Sequence, residues 1–284
     1  MALLPLELVV IVCLVGRIDV PSPLRAGVEL AMLALLAGGG TLLTLDYRRH
    51  RAAGTDSRSA LRAAVADTVP AAVVKLTVHE VNLGTSCLRW LARRGPHGVP
   101  AGGTTVKYTA GQAMVVFGFL FVSVVETVAL YFALLRWPAV HLVVTVLDVW
   151  GLYFIVALHA SCVVRPHVIG ADGSLRLRYG ALVDVRIPAE LIASAHLDRR
   201  YPERPLLSAA EDGTADLAVA SQTNVTVRLT GPVPFTRALG QRGEASAFRF
   251  YADDPRSAVS ALSAGAKRTG VTPGSAETSR TRSR

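Results

Sequence analysis

Two long apolar runs joined by a three-residue turn constrain this chain more than any other feature. Residues 114–135 and 139–164 are almost entirely apolar, and Arg136-Trp137-Pro138 separates them. A helix needs roughly 20 apolar residues to cross a bilayer, and both runs reach that length. We therefore predict a transmembrane hairpin, with the other segments attached to its two ends.

Two further spans are predicted near the N-terminus. Residues 26–45 form a second apolar run, which ends at the interfacial sequence Asp46-Tyr47-Arg48-Arg49-His50-Arg51. Residues 3–16 are apolar but short, since a helix of this length covers ~21 Å of a hydrocarbon core of ~30 Å. The first residues lack the positive region and cleavage site of a signal peptide, which favours a retained span.

The composition changes after the hairpin. Apolar residues concentrate in residues 1–46 and 113–164, and only 18% of the 284 residues are charged, which is low for a soluble protein. We predict a membrane α-helical protein with four spans, joined to a mainly-β domain with a C-terminal capping helix. The predicted segments are two transmembrane helices (1–46), a basic cytoplasmic amphipathic segment (47–112), the hairpin (113–164), the β domain (165–265) and a disordered tail (266–284).

The basic residues predict the topology. The net charge is +9, and many of the lysines and arginines lie in segment 47–112 or in the tail. Cytoplasmic loops are enriched in these residues, so we place this segment and both termini in the cytoplasm. No zinc-finger spacing, aromatic RNA-binding pattern or basic recognition helix is present, and we predict no nucleic-acid partner.

The basic segment contains two predicted elements. Residues 57–69 predict a short helix that ends before Pro70. Residues 71–94 show helical spacing, but residues 74–78 also alternate as in a strand; the length favours a helix. This helix would lie on an anionic membrane surface or pack against the protein itself. The predicted interfacial anchors of the chain are Tyr47, Arg48, Arg49, Arg51, Trp90, Arg93, Arg94 and Trp137.

After the hairpin, the apolar spacing changes to the period of two that is typical of β-strands. Leu175 and Leu177 alternate with Arg176 and Arg178, and such arginines usually lie on the solvent face of a strand. Asp253-Asp254-Pro255 predicts the start of a helix at residues 256–264. The predicted strands are residues 165–169, 174–179, 182–188, 191–197, 217–220, 224–229 and 247–251, and residues 201–213 are predicted to be a loop.

Four short sequences stand out in the last hundred residues: Asp172-Gly173-Ser174-Leu175-Arg176-Leu177-Arg178-Tyr179-Gly180, Val185-Arg186-Ile187-Pro188, Ile192-Ala193-Ser194-Ala195 and Tyr251-Ala252-Asp253-Asp254-Pro255. Through them, this region resembles a bacterial pleckstrin-homology-like domain. Residues 126–264 also resemble uncharacterised bacterial integral membrane proteins, through Val125-Glu126 and Arg165-Pro166-His167. The resemblance implies a strongly bent sheet or partial barrel, capped by one helix, on the cytoplasmic side of a bacterial plasma membrane.

Eukaryotic pleckstrin-homology domains bind phosphoinositides through basic residues of the first strand–strand loop. The corresponding loop here, Ala171-Asp172-Gly173-Ser174, contains no lysine or arginine, so this lipid site is not carried over. Arg176, Arg178 and Arg186 could still face anionic lipid.

Two carboxylates inside the hairpin are the most conspicuous polar candidates. Glu126 lies 12 residues before Pro138 and Asp148 lies 10 after it. Both would therefore lie at similar depth, ~18 and ~15 Å from the turn. A charge at this depth costs about 2.5–3.5 kcal/mol and should face protein or water. The pair fits interhelical hydrogen bonding, proton or ion handling, or a cation site, but His141 and His159 are too distant along the helix to complete one compact metal site.

The sequence contains no catalytic constellation, no cofactor motif and no metal-ligand spacing. Cys13, Cys87 and Cys162 are far apart, which disfavours a disulfide framework. We expect a non-enzymatic membrane-anchored scaffold or interaction platform, in contact with the lipid bilayer and with an unidentified protein partner. The alternative is a component of proton- or ion-linked transport that uses Glu126 and Asp148.

Overall fold

The computed structural model describes residues 22–203, 206–209, 213–237 and 242–268. The predicted first span (3–16), Cys13 and residues 269–284 of the predicted tail lie outside these ranges. The chain divides into two compact units. Among the described residues, the first contains 22–82 and Phe121–Phe154, and the second contains Leu83–Leu120 and those within 155–268.

The first unit begins with a helical pair. Helix α1 (Ser22–Ala52) is followed by α2 (Ser57–Thr68), whose first turn is capped by the Asp56 carboxylate. The two helices contact each other through side chains near the C-terminal end of each: Thr68 Oγ1 donates to Asp46 over 3.1 Å, and His50 Nε2 lies 2.9 Å from Asp67. Part of the predicted interfacial stop sequence thus also holds these two helices together.

Helix α3 (Ala71–Leu91) resolves the ambiguity between helix and strand in favour of a helix. It continues from the first unit into the second, where Leu83, Ser86 and Cys87 are buried. Cys87 and Cys162 are free thiols.

Two helices of the described chain are long and apolar enough to cross a membrane: α4 (Ala110–Ala133) and α5 (Pro138–Val164). They correspond to the predicted hairpin. Pro138 occupies the first turn of α5, where backbone N–H groups have no acceptor within the helix, so the absence of an N–H costs no helical hydrogen bond. The predicted span at residues 26–45 lies within α1 but is not one of these two helices. The structure therefore supports two of the four predicted spans.

The second unit contains two β-sheets. The first has the antiparallel order β1-β2-β3-β4, and the second has the order β5-β8-β9-β7-β6, in which β7 and β9 are parallel. The strands are β1 (Thr104–Val106), β2 (His167–Ile169), β3 (Leu175–Tyr179), β4 (Val183–Ile187), β5 (Ile192–Arg200), β6 (Ser208–Ala209), β7 (Thr214–Leu217), β8 (Thr223–Thr236) and β9 (Arg242–Phe250). Helix α6 (Pro255–Arg268) follows β9.

One apolar core joins both sheets and α6. Leu175, Leu177 and Val185 enter this core from the first sheet, as the period of two predicts, and Phe248 and Phe250 enter it from the second. Ala258 and Leu262 contribute from α6, which closes the core.

Several strands differ from their predicted bounds. Strand β1 was not predicted, and β6 lies in the predicted loop of residues 201–213. The predicted strand at 217–220 is instead β7, which ends at Leu217 because Ala220 and Ser221 form a tight turn with positive φ at both residues. Strand β8 continues through Gly231-Pro232, where the pairing with β9 shifts register. A β-bulge of this kind lets a strand accommodate a proline that would otherwise end it.

Candidate functional site

The structure brings Glu126 and Asp148 close enough for an electrostatic interaction within the first unit. Within the described ranges, neither carboxylate has a hydrogen-bonding or oppositely charged partner. His141 packs edge-on against Tyr131, with ring centroids 4.6 Å apart. His159 lies further along α5, and no group of three potential metal ligands occurs among the described residues.

The predicted anchors lie at helix ends. Tyr47, Arg48, Arg49 and Arg51 occupy the last turns of α1, and Arg51 donates to the Thr55 carbonyl. Trp90 lies in the last turn of α3, Arg93 and Arg94 follow that helix, and Trp137 precedes α5. Trp137 is 58% exposed and Trp90 is 39% exposed, so both indoles are open to solvent or lipid.

The most extensive buried polar arrangement lies elsewhere, where both ends of the hairpin meet the β domain inside the second unit. We call this arrangement the junction. Its centre is a stack in which the ring of Tyr108 lies 4.5 Å from that of His167 and 5.9 Å from that of Tyr179. The side chains that form the junction are Tyr108, Gln112, His167, Arg178, Tyr179, Tyr251 and Asp253.

His167 is fully buried and uses both ring nitrogens. Its Nδ1 accepts the backbone N–H of Arg178 over 3.0 Å, and its Nε2 lies 3.2 Å from the Tyr251 carbonyl. This pair of partners requires the neutral imidazole with the proton on Nε2. Burial lowers the pKa of His167 to about 3, which keeps the ring neutral at physiological pH.

Arg178 is 2% exposed, contrary to the expectation of a solvent-facing arginine. Its Nε donates to the Pro166 carbonyl over 2.8 Å, and Nη1 donates to the His97 carbonyl over 2.7 Å. Burial, followed by the charge of Arg176, lowers the pKa of Arg178 to about 10, so the side chain stays charged at neutral pH. The loop that contains His97 covers this face of the first sheet, which the alternating pattern of β3 could not reveal.

The start of α4 is held by residues that follow β9. The Asp253 carboxylate accepts the backbone N–H of Ala110 over 3.1 Å and complements the positive end of the helix dipole. Gly111 allows close packing here, because a Cβ at this position would lie 2.8 Å from the ring of Tyr251. Tyr179 donates to Gln112 Oε1 over 2.8 Å, and burial raises the pKa of Tyr179 to about 12.

The chain just after α5 is held by hydrogen bonds of the Tyr108 hydroxyl. Tyr108 donates to the Arg165 carbonyl over 3.2 Å and accepts the Gly180 N–H over 2.8 Å. Gly180 has φ +50°, and a Cβ there would lie 2.8 Å from Ser161 Oγ. One tyrosine therefore connects the segment before α4, the segment after α5 and the turn after β3.

Next to the junction, three arginines bind the carbonyls of one loop. Arg89 donates to Gly95 over 2.9 Å, Arg178 to His97, and Arg176 to Gly98. The same loop is bonded to the end of α5, because the His97 N–H donates to the Val164 carbonyl over 2.8 Å.

Comparisons with known proteins add no identification. No family model matches the chain, no curated protein matches it, and no solved structure matches it. The arguments for function therefore rest on the residues and their geometry.

The sequence predicted Glu126 and Asp148 at similar depth and favoured a structural role for His167. It missed Tyr108, Gln112 and Asp253 as a connected set. Tyr108 and Gln112 carry no local signal, Asp253 was assigned only to the start of the C-terminal helix, and the partners of all three are more than 50 residues away in the chain.

Proposed function

We propose that this chain is a multi-pass membrane protein that holds a pleckstrin-homology-like β domain at the cytoplasmic membrane surface as a scaffold or interaction platform. Helices α4 and α5 support membrane insertion through their length and apolar composition. Their large side chains are exposed, including Met114 at 80% and Phe117 at 66%. Soluble monomers rarely expose apolar patches of this extent, whereas a bilayer would cover them.

The observation that carries the proposal is the junction. Only Arg165 and Pro166 separate α5 from β2, and only Lys107, Tyr108 and Thr109 separate β1 from α4. Buried hydrogen bonds fix both short connections to the sheet. A domain attached in this way keeps one orientation toward the membrane, which suits a platform that presents a defined surface.

The finer features of the proposal follow from the sequence. Spans at residues 3–16 and 26–45 would add a second pair of helices, and the arginines at the end of α1 would lie on the cytoplasmic side with both termini. Two sheets around one core, closed by α6, are compatible with the pleckstrin-homology-like assignment.

Membrane insertion and platform function have separate tests on the full chain. Insertion predicts that alkaline carbonate leaves the protein in the membrane pellet. Platform function predicts discrete cross-links from a photoreactive residue at Leu197, which is 51% exposed on the edge strand β5. Leu61 on α2 is 50% exposed and serves as the matched control position. Equal cross-linking at the two positions would argue against a platform on the β domain.

The electrostatic interaction between Glu126 and Asp148 favours a second candidate, proton- or ion-linked transport. Two nearby carboxylates can share one proton, because the charge of one disfavours ionisation of the other. In vesicles that contain the purified protein, this candidate predicts a pH- or ion-driven flux that Glu126→Gln abolishes while expression is unchanged. The platform proposal predicts no such flux.

A further inference from the structure

A groove in the second unit places two arginines beside an apolar wall. It has a volume of about 500 Å³, which lies within the range of ligand sites. Arg176 and Arg186 line it from β3 and β4, and Gly98-Val99-Pro100 lines it from the opposite side. We propose that this groove binds the phosphate of an anionic phospholipid headgroup. Ser174 of the first strand–strand loop also lines the groove, but this loop has no basic residue, and the arginines come from β3 and β4 instead.

The two arginines form an unfavourable pair without a ligand. Arg176 and Arg186 are direct cross-strand partners, and like charges in this arrangement repel each other. Asp184 binds Arg176, with Nε donating over 2.7 Å to one carboxylate oxygen. Arg186 is exposed and forms no hydrogen bond or close ion pair among the residues that the structure describes, although its charge interacts with Asp184. A phosphate in the groove beside both arginines would neutralise the positive charge that Asp184 leaves.

Further arginines raise the positive potential behind the groove. Arg178, Arg165 and Arg89 lie close enough for electrostatic interaction with one another or with Arg176. Burial alone would raise the pKa of Asp184, but the hydrogen bond from Arg176 and the surrounding arginine charges hold it below its ordinary value. The carboxylate facing this cluster is thus already ionised and neutralises only part of the charge. Arg178 Nη2 is buried and forms no hydrogen bond.

The surroundings favour a lipid over a free phosphate ion. Val99, Pro100, Val168, Ile187 and Pro188 line the groove beside the arginines, and apolar walls add nothing to the binding of an inorganic ion. The loop that forms one wall is bonded to the end of α5. If α5 crosses the membrane, as the proposed function requires, the groove lies near the headgroup layer, so this part of the inference rests on that proposal.

The loop also depends on Gly98. This residue has φ +65°, and a Cβ there would lie 3.2 Å from Arg176 Nη1 and 3.4 Å from Arg178 Nη1. A glycine therefore allows the loop backbone to approach both guanidinium groups and to form the wall of the groove.

The test measures binding of dihexanoyl phosphatidylglycerol to the purified full chain in a neutral detergent, by native mass spectrometry and calorimetry. Dihexanoyl phosphatidylcholine and inorganic phosphate are the comparison ligands.

The test variant is Arg186→Gln, and Arg228→Gln on β8 is the matched control, since Arg228 is also exposed and lies in the other sheet. Loss of a charge-assisted contact to phosphate should weaken phosphatidylglycerol binding about tenfold in Arg186→Gln. Arg228→Gln should bind within about twofold of the original chain, because its arginine lies outside the groove.

Three results would overturn the inference: equal binding of phosphatidylglycerol and phosphatidylcholine, equal effects of the two substitutions, or inorganic phosphate that competes as well as the lipid. The last would assign the groove to a free anion. Carbonate extraction of the membranes from which the chain is purified separates this inference from the membrane proposal. If carbonate releases the chain from the membrane but lipid binding still depends on Arg186, only the insertion proposal is contradicted. If the chain stays in the membrane but does not prefer phosphatidylglycerol, only the assignment of the groove is contradicted.

Discussion

Polar side chains meet two different environments along the same pair of helices. In the apolar middle of the hairpin, Glu126 and Asp148 interact with each other but have no hydrogen-bonding partner among the described residues. At the helix ends, His167 and Arg178 are buried and bonded to backbone groups of distant segments. The comparison teaches that the residues most conspicuous in the sequence are not the ones that the structure connects most extensively.

Replacement of His167 should have the largest effect. His167→Ala leaves a cavity, an unpaired N–H at Arg178 and an unpaired carbonyl at Tyr251, so we expect a loss of about 3–4 kcal/mol of stability. The measurement is the thermal exposure of the Cys162 thiol in detergent, with the other two cysteines replaced by serine. His196→Ala, at a partly exposed position on β5, should cost less than about 0.5 kcal/mol. Similar losses of stability in His167→Ala and His196→Ala would contradict a special contribution of the junction.

The neutral state of His167 predicts a pH dependence. The unfolded histidine titrates near its ordinary value of 6.5, whereas the pKa in the folded chain is about 3. The unfolded state therefore binds more protons below pH 6.5, and the stability contribution present above this pH is lost as the pH falls toward 3. Between pH 6.5 and 5 we expect a loss of about 2 kcal/mol, before most carboxylates titrate.

Denaturant unfolding of the full chain at a series of pH values measures this loss. His167→Gln cannot gain a proton and should show a flat profile between pH 6.5 and 5. An equal slope in the original chain and in this variant would assign the pH dependence to other groups.

Substitution of Asp253 should have a smaller effect on stability, and two variants separate the contribution of its hydrogen bond from that of its charge. Asp253→Ala removes the cap of α4 and should cost about 1 kcal/mol. Asp253→Asn retains an acceptor for the Ala110 N–H and should cost a smaller amount, which reflects the lost interaction with the helix dipole. The same unfolding assay measures both variants, with Glu190→Gln as an exposed control. If the alanine variant is as stable as the control, the cap does not hold the helix.

Substitution inside the hairpin should have the smallest effect on the junction. Glu126→Gln removes one of two repelling carboxylates without opening a cavity, so the Cys162 exposure profile should change by less than about 0.5 kcal/mol. Asp148→Asn is the matched variant on the facing helix and should behave similarly. A large loss of junction stability in either variant would show that the two regions are coupled.

The fold was predictable where local patterns determine it. Length and composition located α4 and α5, and Asp253-Asp254-Pro255 located the start of α6. The alternation of Leu175 and Leu177 located β3 and its core face. These signals are carried by residues that are neighbours in the chain, so no knowledge of tertiary contacts is needed.

The remaining features depend on distant partners. Strand β1 is short and forms by pairing with β2, about 60 residues later along the chain, where Thr105 faces Val168. Arg178 lies on the polar face of β3, and its burial results from a loop that precedes the hairpin. Tyr108 shows no local signal for its contacts with residues 165 and 180. For the same reason, the hairpin carboxylates were visible in the sequence and the junction was not.

Hydrogen–deuterium exchange of the full chain in lipid nanodiscs tests the central claim, that both ends of the hairpin are fixed to the β domain through the junction. The account predicts slow exchange at the N–H groups of Ala110, Arg178 and Gly180, and joint release of all three in His167→Ala while residues 121–133 stay protected. Fast exchange at these groups in the original chain, or release of Arg178 alone in the variant, would contradict it.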